Sequence, residues 1–169
     1  MHTVPGSIVR ITLRDFMQYS DVSFEPGPNL NVIIGPNGSG KSTLVNAICL
    51  GLAGKTAVLG RASNITDFIR TDCEEAYTEV ELYHPDGNRI IGRRWGHQMK
   101  GSKWTLDGKT CLQKDVENFI RTMKIQVGNL CQFLPQDKVQ DFSKMNSKML
   151  LNSTIDAVGE DDLKMKHEQ

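Results

Sequence analysis

The chain has 169 residues, enough for about one domain with a real core. Hydrophobic content of 38% and charged content of 24% exclude a disordered or fibrous chain. Its 20 basic residues balance 20 acidic ones, so no bulk field draws it to nucleic acid or membrane, and any such binding needs a local patch. Cys49, Cys73, Cys111 and Cys131 lie far apart without a C-x-x-C pair, which reads as reduced thiols and not a zinc site. No apolar run is long enough for a secretory signal or membrane span, so the expectation is a reducing intracellular compartment and no membrane.

In chain order, Val9, Ile11 and Leu13 alternate with Arg10, Thr12 and Arg14, the period of a half-buried strand. Val22 and Phe24 alternate with Asp21, Ser23 and Glu25 in a second strand. Pro26-Gly27-Pro28-Asn29 then breaks the chain. The run Leu30-Asn31-Val32-Ile33-Ile34 is nearly continuous in apolar residues and predicts a central strand covered on both faces. It leads into Gly35-Pro36-Asn37-Gly38-Ser39-Gly40-Lys41-Ser42-Thr43. After this loop, Leu44, Ala47, Ile48 and Leu52 recur at helical spacing, with a stop expected near Gly51 or Gly54.

Residues 55–76 lack a clean period and read as a loop with a short helical piece. Alternation returns at Tyr77, with Val80 and Leu82 set between Glu79, Glu81 and Tyr83. His84 to Asn88 is a turn, and Arg89 to Trp95 the returning strand. Asp107-Gly108 is a hairpin signal of the primed type. Val116, Phe119, Ile120 and Met123 mark an amphipathic helix, and the tail from about Asn146 is again helical. The order predicts a mixed α/β domain with an antiparallel part.

The glycine-rich string carries the strongest chemistry. Glycines let the backbone wrap a phosphate chain so that successive N–H groups point inward. Lys41 adds a point charge for the β and γ phosphates, and the Ser42 hydroxyl can join a Mg²⁺ shell. A helix starting near Lys41 aims its positive end at the same phosphates. ATP with Mg²⁺ is therefore the expected ligand pair. Hydrolysis also needs a second acidic residue for Mg²⁺ and a group that positions water. No run of four apolar strand residues ending in Asp occurs, and the Ser-Gly-Gly signature of transporter-type ATPases is missing. The chain alone should bind nucleotide weakly and turn it over little. A nucleoside kinase would need a lid with catalytic arginines, a GTPase would need Asn-Lys-x-Asp, and a purely scaffolding lobe is the non-enzymatic alternative.

Between Arg89 and Trp104 lie Arg89, Arg93, Arg94, Lys100 and Lys103 with no acidic residue. Such a hairpin could neutralise a DNA backbone without reading sequence. Equally, it could be a solvated edge protected by lysine.

The string Gly35 to Thr43, preceded by a strand pair carrying Phe16 and Tyr19, resembles the amino-terminal head segment of the SMC (structural maintenance of chromosomes) family. Gly60-Arg61-Ala62-Ser63-Asn64-Ile65-Thr66-Asp67-Phe68-Ile69 is similar to that family's arginine-bearing loop. Asn129-Leu130-Cys131-Gln132-Phe133-Leu134-Pro135-Gln136-Asp137-Lys138-Val139 is similar to its Q-loop. The resemblance implies an α/β P-loop NTPase of the ABC-type head, the amino-terminal lobe with mixed and antiparallel sheet plus helices. It implies a lobe over 1–158 and the start of a coiled-coil helix over 159–169.

By residue, the resemblance implies that Lys41 and Gly35, Pro36, Asn37, Gly38, Ser39, Gly40, Ser42 and Thr43 hold the nucleotide. Ser42 and Gln136 would reach Mg²⁺, with Gln136, preferred over Gln132, also placing the attacking water; Lys41 and Gln136 are the catalytic pair. Arg61 matches a phosphate-contacting position, and Arg14 lies where the first hairpin could meet the base and ribose. Phe16 and Tyr19 read as core-edge residues and the tryptophans as packed ones. The family's DNA-engaging heads favour the DNA reading, with Arg93, Arg94, Lys100 and Lys103, and with Lys55 and Arg61 as rivals. Implied partners are the chain's own carboxy-terminal head half, the sixth eukaryotic SMC protein, a kleisin with other non-SMC subunits, and double-stranded DNA. The implied location is the nucleus and its chromosomes.

Overall fold

A computed structural model describes residues 4–60 and 64–158. Strands β1 (Ile8–Phe16), β2 (Tyr19–Phe24), β3 (Glu75–Leu82), β4 (Arg89–Gly96), β5 (Ser102–Leu106) and β6 (Lys109–Cys111) form one antiparallel sheet in the order β2-β1-β3-β4-β5-β6. Helices α1 (Lys41–Gly51), α2 (Thr56–Leu59), α3 (Gln113–Thr122), α4 (Val139–Ser143) and α5 (Ser147–Val158) complete the described elements, with 3₁₀ turns at Ile65–Phe68 and Gln136–Lys138.

The alternation in β1 sends Ile11 and Leu13 to one face, where both are buried, and Arg10, Thr12 and Arg14 to the other. Val80 and Leu82 of β3 and Ile91 of β4 join the inner face, and α1 lies against it. Leu44, Ala47, Cys49 and Leu50 of α1 enter the core with Phe16, Phe68 and Trp95. Helix α1 comes so close to β3 that a Cβ on Gly51 would sit 2.7 Å from Val80 Cγ2. Gly51 is thus the last helical residue and also a point where only a glycine fits against β3. Val116 and Ile120, four apart on α3, close a second cluster with Trp104, Leu82 and Ile91.

Both hairpin signals hold. Asp107 (φ 51°) and Gly108 (φ 77°) each occupy the left-handed region, as a two-residue type I′ turn requires. Arg89 Nη1 donates to Asp107 Oδ2 at 2.8 Å and the Ile90 N–H to Asp107 Oδ1 at 2.9 Å, which fixes that turn to β4.

One expected element is different. Residues 30–34 form no strand, and Leu30, Val32 and Ile34 are 89%, 70% and 89% exposed. The run has the composition of a buried central strand, but the described residues offer it no neighbouring strand. Among the described residues it is Asn31 that fastens the run by hydrogen bonds, donating to the Gly27 and Asn29 carbonyls at 3.0 and 2.8 Å and closing the Pro-Gly-Pro turn.

Candidate functional site

Gly40 sits just before α1 with φ 98°, a left-handed conformation that glycine adopts without steric cost. A Cβ here would meet Tyr19 Oη at 2.5 Å and Gln18 Nε2 at 2.6 Å, so space as well as backbone demands glycine. Gly38 is also left-handed, at φ 81°. A Cβ on Gly35 would lie 2.6 Å from Ser39 Oγ. The loop is therefore a backbone cradle of the kind a phosphate chain fills, and α1 opens from it with its free N–H groups. Lys41 Nζ crosses the loop and donates to the carbonyls of Gly35 (2.8 Å) and Pro36 (2.7 Å).

The tip of the β1–β2 hairpin braces this loop, a role the sequence did not reveal. Thr43, 3% exposed, donates its hydroxyl to Gln18 Oε1 at 2.8 Å. Tyr19 Oη donates to the Ser39 carbonyl at 3.4 Å, and Asn46 Nδ2 approaches Met17 Sδ at 3.6 Å. Phe16 is a core residue, stacked on Phe68 with centroids 6.0 Å apart and edge-on to Trp95 at 5.8 Å. The only signal for Gln18 was its place in a two-residue turn.

Arg14 does not share this site. Leu13 faces the core, so Arg14 points to the opposite face of the sheet, 3.7 Å from Asp21 and with its guanidinium 5.8 Å from the Tyr77 ring centroid. The expected contact with nucleotide is corrected by strand alternation. Arg61 lies outside the described residues, as does the segment 159–169.

The structure does bring Ser42 and Gln136 together. They line one small cleft of about 80 Å³ with Val45, Asn46, Leu59, Leu134, Pro135 and Asp137. Helix α2 approaches the same segment, since a Cβ on Gly60 would be 3.0 Å from Asp137 Cβ. Gln132 lies elsewhere: its Oε1 accepts from the Gln126 N–H at 2.8 Å and its Nε2 donates to the Ala157 carbonyl at 2.7 Å. A hard cation would find at the cleft a hydroxyl oxygen and an amide oxygen, which suits Mg²⁺ completed by phosphate oxygens and water.

The basic stretch divides by strand face. Arg93 is only 9% exposed. Its Nη1 donates to the Leu50 carbonyl at 2.8 Å and its Nε to Ser102 Oγ at 3.0 Å. The guanidinium lies 4.5 Å from the Trp104 ring centroid and 5.6 Å from that of Trp95. Burial lowers its pKa to about 10, against a weaker coulombic influence of Cys49 in the other direction. Arg93 therefore caps the carboxyl end of α1, where a cation is favoured, and is corrected from DNA contact to core residue. Trp95 and Trp104 are packed, at 0% and 3% exposure. Arg94, on the outer face, pairs with Glu75 and lies 5.5 Å from the Tyr77 ring centroid. Lys55, Lys100 and Lys103 are exposed.

Comparison with known proteins adds ancestry to this geometry. The family profile described as "AAA domain" matches residues 10–168. The chain is 40% identical over 166 residues to "Structural maintenance of chromosomes protein 5" of Arabidopsis thaliana, covering 97% of this chain and 16% of that protein. It is 38% identical over 164 residues to the protein of the same name in Schizosaccharomyces pombe, covering 97% of this chain and 15% of that one. The chain thus spans about one sixth of the length of these curated relatives. Among solved structures, a chain from "Structural biochemistry of ATP-driven dimerization and DNA stimulated activation of SMC ATPases" superposes with TM-score 0.77 at 23% identity, over 88% of this chain and 98% of that one. The "SmcHead bound to the C-winged helix domain of ScpA" gives 0.73 at 24% identity, over 82% of this chain and 47% of the other. At these identities the structures share the fold.

Proposed function

The chain belongs to the AAA-domain family and carries the head fold of SMC proteins, and we propose that it is the ATP-binding amino-terminal lobe of such a head. Residues 1–158 make the lobe and 159–169 begin the coiled coil. With its carboxy-terminal half, and paired with a second SMC head, it binds and hydrolyses ATP to drive DNA entrapment or translocation. Its similarity to two proteins named structural maintenance of chromosomes protein 5 favours that member. This in turn favours the sixth SMC protein as partner, work in DNA repair and chromosome maintenance, and a place on nuclear chromosomes. A kleisin is a further partner, supported by the SMC head solved with ScpA.

The observation that carries the proposal is the bare run Leu30–Ile34 leading into the phosphate cradle. It borders an apolar groove of about 550 Å³ lined by Ile8, Ile11, Phe24, Leu44 and Ile48 among others. Burying a large aliphatic side chain is worth roughly 1.5–3 kcal/mol, so four exposed ones call for strands supplied from outside the described residues. Those strands are the natural carriers of the acidic residues that this chain lacks.

Within the site, the loop amides and Lys41 would hold the β and γ phosphates. Ser42 and Gln136 would bind Mg²⁺, and Gln136 would also orient water. ATP supplies the phosphoanhydride; this chain supplies grip and orientation. DNA contact falls to Lys55, Arg61, Arg94, Lys100 and Lys103, all exposed among those described.

The test is reconstitution of paired full-length heads, assayed for ATP hydrolysis with and without DNA. The chain alone is expected to turn over negligibly, and the paired heads to hydrolyse ATP faster with DNA. Robust hydrolysis by the isolated chain would sink the half-site reading. Lys41→Ala is expected to weaken ATP binding at least 100-fold, measured by titration with a fluorescent nucleotide; unchanged affinity contradicts the phosphate assignment.

A further inference from the structure

Three side-chain amides from one short turn hold the last described turn of α5. Gln126 Nε2 donates to the Asp156 carbonyl at 2.6 Å, Asn129 Nδ2 to the Ser153 carbonyl at 2.9 Å, and Gln132 Nε2 to the Ala157 carbonyl at 2.7 Å. The amides also brace one another. Gln126 Oε1 accepts from Asn129 Nδ2 at 3.0 Å, and Gln132 Oε1 accepts from the Gln126 N–H at 2.8 Å. Asn129 Oδ1 accepts from the Cys131 N–H at 3.0 Å, so each amide uses both its donor and its acceptor. No basic side chain stands in the last turn of α5 to serve those carbonyls instead.

The same turn runs directly into the cleft. After Gln132 come Phe133, packed against the main core cluster, then Leu134, Pro135 and Gln136, which line the cleft together with Ser42. Three residues separate the clamp from Gln136. Pro135 holds φ at −64°, and the Phe133 N–H donates to the Asn129 carbonyl at 2.9 Å. So short and pinned a strap has little room to absorb displacement.

We propose that Gln132, supported by Gln126 and Asn129, is a positioning residue that ties the seat of Gln136 beside Ser42 to the position of α5. The helix and the cleft then move as one body. This rests on the reading of Ser42 and Gln136 as the cation and water site. Gln132 touches no phosphate or water in this role and acts only through the strap.

The experiment uses the full-length protein paired with its partner head. Gln132→Glu keeps the acceptor for the Gln126 N–H but turns the donor into a carboxylate oxygen against the Ala157 carbonyl. Gln132→Met keeps the length and removes both functions without adding charge. Both are expected to lower kcat at least tenfold while KM for ATP stays within twofold. A second readout needs no turnover: backbone hydrogen exchange should quicken in 153–158 and in 136–138 together, at least tenfold in each. The milder Gln126→Ala is expected to shift both segments in the same direction by less, which keeps the test open if a Gln132 variant folds poorly. Faster exchange in 153–158 with 136–138 unchanged would overturn the proposal, leaving a local helix staple. A wild-type kcat in Gln132→Met would do so too. Failure of the wild-type heads to hydrolyse ATP strikes instead at the underlying functional reading, and the paired exchange response still decides the coupling.

Discussion

At the scale of single residues, two neighbouring arginines have opposite roles because a strand alternates its faces. Arg93 is buried between two tryptophans and bonded to the Leu50 carbonyl, whereas Arg94 stands on the outer face beside Tyr77. Arg93→Met leaves a buried carbonyl unpaired, at a cost of about 1–3 kcal/mol. A thermal melt should show a lowered midpoint with nucleotide affinity retained. Arg94→Glu should leave the melt nearly unchanged and, if Arg94 meets DNA, weaken binding and flatten its salt dependence. Equal salt slopes for wild type and Arg94→Glu would remove Arg94 from the DNA surface.

At the scale of elements, the run Leu30–Ile34 is strand-like in composition yet unpaired in the structure. Central strands buried on both faces read as continuous apolar runs, but pairing needs a neighbour with free backbone groups. Ile33, 51% exposed, borders the apolar groove with Val32. Ile33→Asp is therefore expected to leave the six-stranded sheet intact by circular dichroism while abolishing co-purification with the carboxy-terminal head half. Undiminished co-purification would mean that this run is not the joining strand. The same reasoning explains why much of the antiparallel part was legible. Strand β3 with β4 and β5 with β6 are joined by short turns with strong local signals, whereas the β1–β3 pairing bridges a long intervening stretch of chain and had none.

At the scale of the whole molecule, folding buries ionisable groups that resist charging. Burial raises the Cys49 thiol to about 12, with Arg93 acting weakly in the other direction. Tyr77 is also pushed to about 12, first by burial and then by its hydrogen bond to Glu79. Both are acids whose folded pKa lies above the ordinary value. Their stabilising share is fully present below about pH 9 and is lost as pH rises from 9 through 12. Urea midpoints should therefore stay level to about pH 9 as far as these groups decide, then fall. Cys49→Ala should shallow that fall, and an identical slope in the variant would exclude Cys49 as a contributor.

The sequence by itself determined the phosphate loop, the helix after it, both hairpins and the amphipathic α3. Each rests on local rules: glycine at left-handed positions, period-two or helical alternation, and turn chemistry within a few residues. It also placed Ser42 and Gln136 as candidates, 94 residues apart, Ser42 from the loop motif and Gln136 only through family resemblance. Tertiary structure alone decided that these two share a cleft, that Gln18 and Tyr19 brace the loop, and that Arg93 is a core residue. It also decided that Arg14 faces away and that Gln132 holds α5. These depend on which face of which strand meets which helix, and spacing along the chain carries no such information. The bare run 30–34 shows the same limit from the other side: composition fixes what a segment needs, and only the assembled neighbours supply it.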